Sequence, residues 1–239
     1  MVNEISSDLS PKKLKDKRVE RAVAVCAELF LANGIENVKM TDIADVSGIG
    51  VATLYRYFGT KIGIAIGAMT FLWDDLKNLF SGVFDSEAFV SQPGIKQLQD
   101  MLKMFIVLFT AHKDFMRLLG EFDRFVIHEN VPPEQLEVYE RSVINFYPVI
   151  ERAYNKGVED GTVREIPEFR IYYLTFAHAL TEMSKKFIDG EILPSDDFSD
   201  AEKELAMLID CAVNYLKAGK GFWSWRKRSQ LTRYYGFSR

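Results

Sequence analysis

Thr53, Tyr55, Arg56 and Tyr57, followed by Lys61, are the side chains whose types and spacing suggest a chemistry, and that chemistry is recognition. Hydroxyls, a guanidinium and an ammonium offer hydrogen bonds and positive charge, and Thr53 adds a methyl group. A helix of about two turns carrying them fits the DNA major groove, which admits an α-helix and is read by hydrogen bonds and methyl contacts. The element that must hold them is Val51 to Phe58. It is joined to a second short apolar-patterned segment, Thr41 to Ser47, through Gly48-Ile49-Gly50. So short a connection is a tight turn, and the pattern is a helix-turn-helix. Thr41 is expected to cap the first helix, with Asp42 placed favourably for its dipole. Gly48 is expected to supply the positive φ of the turn. Ile43, Ala44, Ile49, Leu54 and Phe58 are the expected core.

Bond-making chemistry has no comparable foothold. The histidines, at 112, 128 and 178, sit in no metal motif and beside no Ser or Cys in a nucleophile setting, and no glycine-rich phosphate loop occurs. His178 and Glu182 lie four residues apart on one helix face, which permits a joint ligand or shared proton; a core or interface hydrogen bond is the simpler role. Cys26 and Cys211 lack metal-ligand spacing and are expected as buried, unreactive thiols in a reducing compartment. No catalytic residue, metal or cofactor is assigned.

The 239 residues allow one large or two small domains, and 48% hydrophobic with 27% charged residues is the composition of a globular chain. No apolar run approaches the roughly 18 residues of a membrane span, and the Lys-rich start lacks a signal peptide's apolar region. A cytoplasmic location is the expectation. The net charge of −4 hides an uneven distribution: residues 1–64 hold nine Lys/Arg and eight Asp/Glu, residues 65–216 hold 14 and 26, and residues 217–239 hold seven and none. Because phosphate attraction acts over about 8 to 10 Å, local sign outweighs the chain total.

Residues 1–17 read as a flexible arm, basic at Lys12, Lys13, Lys15 and Lys17, leading into a helix with Ala22, Val25, Leu29 and Phe30 at helical spacing. Asn33-Gly34 stops that helix. Phe30-Leu31-Ala32-Asn33-Gly34, Met40-Thr41-Asp42-Ile43-Ala44, Ser47-Gly48-Ile49 and Thr53-Leu54-Tyr55-Arg56-Tyr57-Phe58 with Lys61 together resemble the N-terminal DNA-binding domain of TetR-family transcriptional regulators over residues 18–64. The resemblance implies an all-α homodimer that binds a palindromic double-stranded operator and releases it when a small molecule enters the C-terminal domain. It implies DNA contacts at Thr41, Thr53, Tyr55 and Lys61, and variable operator contacts at Val51, Ala52 and Arg56; Tyr57 is added from the helix face. Gly50 stands where a serine cap is common, and Val51 and Ala52 where polar residues are common. Base readout should therefore lean on thymine methyls and few hydrogen bonds.

The rest, residues 65–219, reads as a larger helical bundle for ligand binding and dimerisation, ahead of a basic aromatic tail at 220–239. The helix that leads into it begins at Thr60 and carries Gly63 and Gly67, explained either by close packing or by flexibility between reader and sensor. Residues 81–94 are expected as a loop, Ile95–His112 as a central helix, and Pro133–Gly157 as one long helix kinked by Pro148. Trp73, Phe105, Phe109, Met116, Phe122, Phe125, Tyr139, Phe146, Tyr147, Tyr172 and Phe176 suffice to line a pocket for a hydrophobic or aromatic effector, while Glu121, Asp123 and Glu182 leave a cationic lipophile open. The last two helices each show a second face, Ile171, Leu174, His178 and Glu182 on one and Met207, Cys211 and Tyr215 on the other, a pattern suited to a homodimer interface. The tail can dock on its own domain, approach DNA or touch an anionic membrane. A small-molecule-binding or scaffold protein of the same fold without specific DNA recognition is the alternative reading.

Overall fold

In the computed structural model, residues 11–143, 146–190 and 193–219 are described here, the side chains of 11–16 excepted. The expected arm up to residue 10 and the tail 220–239 lie outside the described residues. Those residues form the helices α1 (Pro11–Asn33), α2 (Met40–Ser47), α3 (Val51–Phe58), α4 (Lys61–Phe84), α5 (Glu87–Val90), α6 (Gly94–Ala111), α7 (Lys113–His128), α8 (Pro133–Ser142), α9 (Tyr147–Glu159), α10 (Phe169–Asp189) and α11 (Ala201–Leu216). Among the described residues there is no strand, only an isolated antiparallel bridge between Val163 and Lys217. No described helix is long and apolar enough to cross a membrane. The all-α class read from the sequence is the class found.

The first three helices close on the core that their apolar spacing anticipates. Ala22, Cys26 and Phe30 of α1 meet Ile43, Ala44, Ile49 and Leu54, all buried, while Phe58 packs at the rim. α1 begins at Pro11, so Lys12 to Lys17 belong to a helix and not to an arm. The cap of α2 also differs from expectation. The N-cap is Lys39, and Asp42 Oδ2 accepts its N–H at 2.8 Å. A carboxylate three residues into the helix reaches back over its own first turn, which leaves Thr41 exposed with its hydroxyl 3.5 Å from Asp42 Oδ1. Gly48 ends α2 at φ 69°, as the tight turn requires.

α4 leaves this unit as one helix of 24 residues and carries Ile66, Met69, Trp73, Leu76, Phe80 and Phe84 into the second unit. It runs through Ser81-Gly82, which the sequence places in a loop, because Phe80 and Phe84 pack on Phe146 and extend the buried stripe a turn further. Pro93 then caps α6. α6 is the central helix of the second unit, packed on α7, α9, α10 and α11. Its first amides are satisfied across space: Asp160 Oδ2 accepts from Gly94 N at 2.8 Å and Thr162 Oγ1 from Ile95 N at 3.2 Å.

The single kinked helix expected over Pro133–Gly157 is two helices. α8 ends at Ser142, and Pro148 sits in the first turn of α9, where its missing N–H costs nothing. The break lets α8 lie on α4 while α9 lies on α6.

Candidate nucleic-acid interface

α3 is eight residues long and gains little from caps. Gly50 has no side chain to offer at its N-terminus, and Gly59 closes the other end by donating to Tyr55 O at 2.8 Å. Its hold on the domain is Leu54, fully buried, with Val51 and Phe58 half-buried on the same core. Pinning that face turns Ala52, Tyr55 and Arg56 outward, Tyr55 being 48% exposed. Thr53 and Tyr57 are half-buried at the flanks. The Arg56 guanidinium lies 5.3 Å from the centre of the Tyr57 ring, a contact that restrains a long side chain beside the exposed face. Among the residues singled out from the sequence, Val51 is thus mainly a packing residue, and the exposed face of α3 is Ala52, Tyr55 and Arg56 with Thr53 at its edge.

Lys61 opens α4 next to this surface. Its Nζ donates to Glu36 O at 3.2 Å and so ties α4 to the turn between α1 and α2. Burial lowers the pKa of its ammonium, with Cys26, Glu36, Glu129 and Asp42 acting in the opposite sense. The Cys26 thiol itself is pushed up to about 12 by burial, which leaves it un-ionised and inert. Cys211 departs from the expectation of two buried thiols, since it is exposed on α11.

Gly63 decides between the two explanations for glycines in α4. A Cβ there would stand 2.0 Å from Phe58 O, so the residue is required by the approach of α3's last turn. A Cβ at Gly67 would come 3.3 Å from Val23 Cγ2, tighter than ordinary packing, so that side chain would have to give by a few tenths of an ångström.

The first unit, α1 to α3, is joined to the bundle by side chains of α7 that the sequence pattern does not single out for this role. Arg117 Nη2 donates to Leu31 O at 2.6 Å, in the last turn of α1, and Glu121 Oε2 accepts from Ile35 N at 2.9 Å. Glu121 is therefore spent on Ile35, and Asp123 and Glu182 are spent on Lys185 at 2.6 and 3.1 Å, so none of the three supplies a negative charge to an interior pocket. His178 and Glu182 are both exposed.

The aromatic residues expected around an effector separate into groups. Trp73 stacks edge-on to Phe115 at 5.0 Å and donates to the Tyr139 hydroxyl at 3.2 Å; Phe122 lies 4.9 Å from the Tyr139 ring. Tyr172 contacts Phe176 at 5.0 Å and Tyr215 at 5.6 Å, in a second cluster toward α11. Phe109 pairs with Phe187. Met116 is buried and Phe125 half-buried on α7. Phe105 and Phe146 border an internal cavity of about 20 Å³, room for about one water molecule. A larger space opens to the side: a groove of about 970 Å³ between α8 and α10, bordered by Tyr139, Tyr147, Tyr173 and Leu174 among others. On the outer faces of α10 and α11, Ile171 is 57% and Met207 69% exposed, with Cys211, His178 and Glu182 also exposed and Leu174 and Tyr215 half-buried. Among the described residues, no group of His, Cys, Asp and Glu could hold a metal ion.

Residues 23–66 match the family model described as bacterial regulatory proteins, tetR family. No curated protein matches the chain. Solved structures of similar fold include a TetR-family transcriptional regulator from Rhodococcus sp. (15% identity, TM-score 0.61, covering 82% of this chain and 99% of that one). A transcriptional regulator from Saccharomonospora viridis in complex with choline is 14% identical, with a TM-score of 0.61 over 82% of this chain and 96% of its own. The transcriptional regulator FadR from Bacillus subtilis in complex with stearoyl-CoA is 15% identical, with a TM-score of 0.59 over 81% and 97%.

Proposed function

We propose that this chain, whose residues 23–66 match the tetR-family model, is a DNA-binding transcriptional repressor that acts as a homodimer and leaves its palindromic operator when a small, largely hydrophobic molecule binds the helical domain. The observation that carries the reading is α3, whose buried Leu54 turns Ala52, Tyr55 and Arg56 into one exposed face that fits a major groove. Tyr55 and Lys61 suit phosphate oxygens; Arg56 and the Thr53 and Ala52 methyl groups suit base edges. The faces of α10 and α11 left exposed among the described residues support dimerisation there, which would hold two recognition helices at about one helical turn of DNA.

Ligands bound by solved structures of this fold, choline in one and stearoyl-CoA in another, support a ligand-responsive second unit. A ligand shifts the protein only by its differential affinity for the DNA-competent and released geometries. α7 is suited to carry that difference, because consecutive residues Glu121 and Phe122 touch the reader and the Tyr139 aromatic cluster respectively.

Selection of bound duplexes from a random library, followed by titration across salt, tests the reading. A regulator selects a palindrome, binds it with a steep negative dependence of log K on log salt, and loses preference at a base step when Arg56 becomes Ala. Duplex binding without sequence preference at low salt would favour the alternative, a ligand-binding or scaffold protein of this fold.

A further inference from the structure

The groove between α8 and α10 differs chemically from the filled interior. α10 contributes Arg170, Tyr173, Leu174 and His178, a stripe with helical spacing that extends about 12 Å along the helix. α8 supplies Leu136, Tyr139 and Val143 opposite. Tyr139, Tyr173 and Arg170 bring donors to this lining, and Glu140 on the α8 side brings its carboxylate. The Tyr139 oxygen already accepts from Trp73 Nε1, which leaves its own proton to give, and burial pushes its pKa up to about 12, so the proton stays in place. Tyr173 is likewise held protonated by burial. Arg170 forms no ion pair among the described residues, and its guanidinium lies 6.0 Å over the Tyr147 ring at one end of the groove.

We infer that this groove binds an amphipathic carboxylic acid, its apolar body along Leu136, Val143 and Ala177 and its carboxylate on Arg170. The free donors on the α10 wall and on Tyr139 select a ligand that brings acceptors, and a guanidinium pairs with a carboxylate in a planar two-bonded geometry. Glu140 also lines the groove and repels an acid, which places the head group on the α10 wall rather than the α8 wall. The tail is a poor occupant by charge: residues 220–239 bring six Lys/Arg and no Asp or Glu to a groove whose unpaired cation is Arg170. The site rests on the ligand-responsive reading only for its consequence at DNA; binding itself is a separate claim.

The test compares three probes with one chain length and three head groups, dodecanoate, dodecanol and dodecyltrimethylammonium, titrated calorimetrically below their micelle concentrations into the full chain. Dodecanoate is expected to bind at least tenfold more tightly than dodecanol, and the ammonium more weakly still. Arg170→Ala should remove that tenfold preference while dodecanol affinity stays unchanged, and Arg170→Lys should restore part of it. Equal affinities, no binding of any probe, a preference for the ammonium, or an Arg170→Ala variant that keeps the preference would each overturn the assignment. So would a tenfold gain in dodecanoate affinity on deleting residues 220–239, since the tail would then be the occupant. Operator binding is followed in parallel: dodecanoate that binds without altering DNA affinity leaves the site standing and removes it from the regulatory scheme, whereas loss of operator selection with intact dodecanoate binding sinks the regulator reading alone.

Discussion

The carboxylate of Glu121 accepts the backbone N–H of Ile35 at 2.9 Å, although 86 residues separate them. This bond, with Arg117 on Leu31 O four residues earlier on α7, docks the end of α1 onto the second unit. Gly34 lies between the two anchored backbone groups at φ 79°, and a Cβ there would come 2.8 Å from Glu121 Oε2. The left-handed backbone favours glycine here, and a Cβ would displace the Glu121 carboxylate from its bond to Ile35.

Removing the acceptor should loosen the reader without unfolding the bundle. Glu121→Ala leaves the Ile35 N–H without its partner, a cost of about 1 to 3 kcal/mol. Amide exchange should quicken across residues 30–47 and stay unchanged in α6, and operator affinity should fall with it. Equal exchange in both regions of the variant and the parent would show that this bond does not hold the domains together.

Gly63→Ala should behave as a packing defect. A methyl group 2.0 Å from Phe58 O forces α3 and α4 apart, so denaturant unfolding should show a loss of about 1 to 3 kcal/mol. A variant of unchanged stability and altered effector response would revive a hinge at this position.

Asp160 sets an acid limit on stability. Its carboxylate accepts from Thr162 and from the Gly94 N–H at the start of α6, and these bonds lower its pKa below the ordinary 3.8. A lowered folded-state pKa adds stability above the unfolded value and loses it as pH falls through the folded one. The melting temperature of Asp160→Ala should therefore lie below that of the parent at pH 5 to 7, and the gap should narrow below pH 3.8. A gap independent of pH down to 2 would assign the effect to something other than the ionised carboxylate.

The exposed face of α10 and α11 predicts its own disruption. Met207→Asp in combination with Ile171→Asp places charges where a second copy would need apolar surface, while both sites are already open to solvent in one protomer. Sedimentation should show a dimer become a monomer of unchanged helicity, with operator affinity reduced at least tenfold. A dimer that survives both substitutions would place the interface elsewhere.

α3, α2 and the turn between them are legible in the sequence because the information is local. Apolar spacing brings Ile43, Ala44 and Leu54 into one core, Gly48 takes the positive φ of the turn, and the outward position of Tyr55 and Arg56 follows from the 3.6-residue period. The same periodicity marks α6 as central and gives α10 and α11 their second faces. Where neighbours compete for a residue, local pattern fails. Asp42 displaces Thr41 as the capping partner, Pro148 begins a helix instead of kinking one, and Phe80 and Phe84 carry α4 through an expected loop because Phe146 lies across them. The roles of the charged groups belong wholly to the tertiary structure. Glu121 is an acid on an amphipathic helix until α1 ends beside it, and Arg170 an exposed cation until α8 makes it one wall of a groove. Chain periodicity determines which face of a helix is apolar; only packing across tens of residues decides which polar group meets which partner, since a hydrogen bond depends on positions to within a few tenths of an ångström and the sequence carries no local signal of that distance.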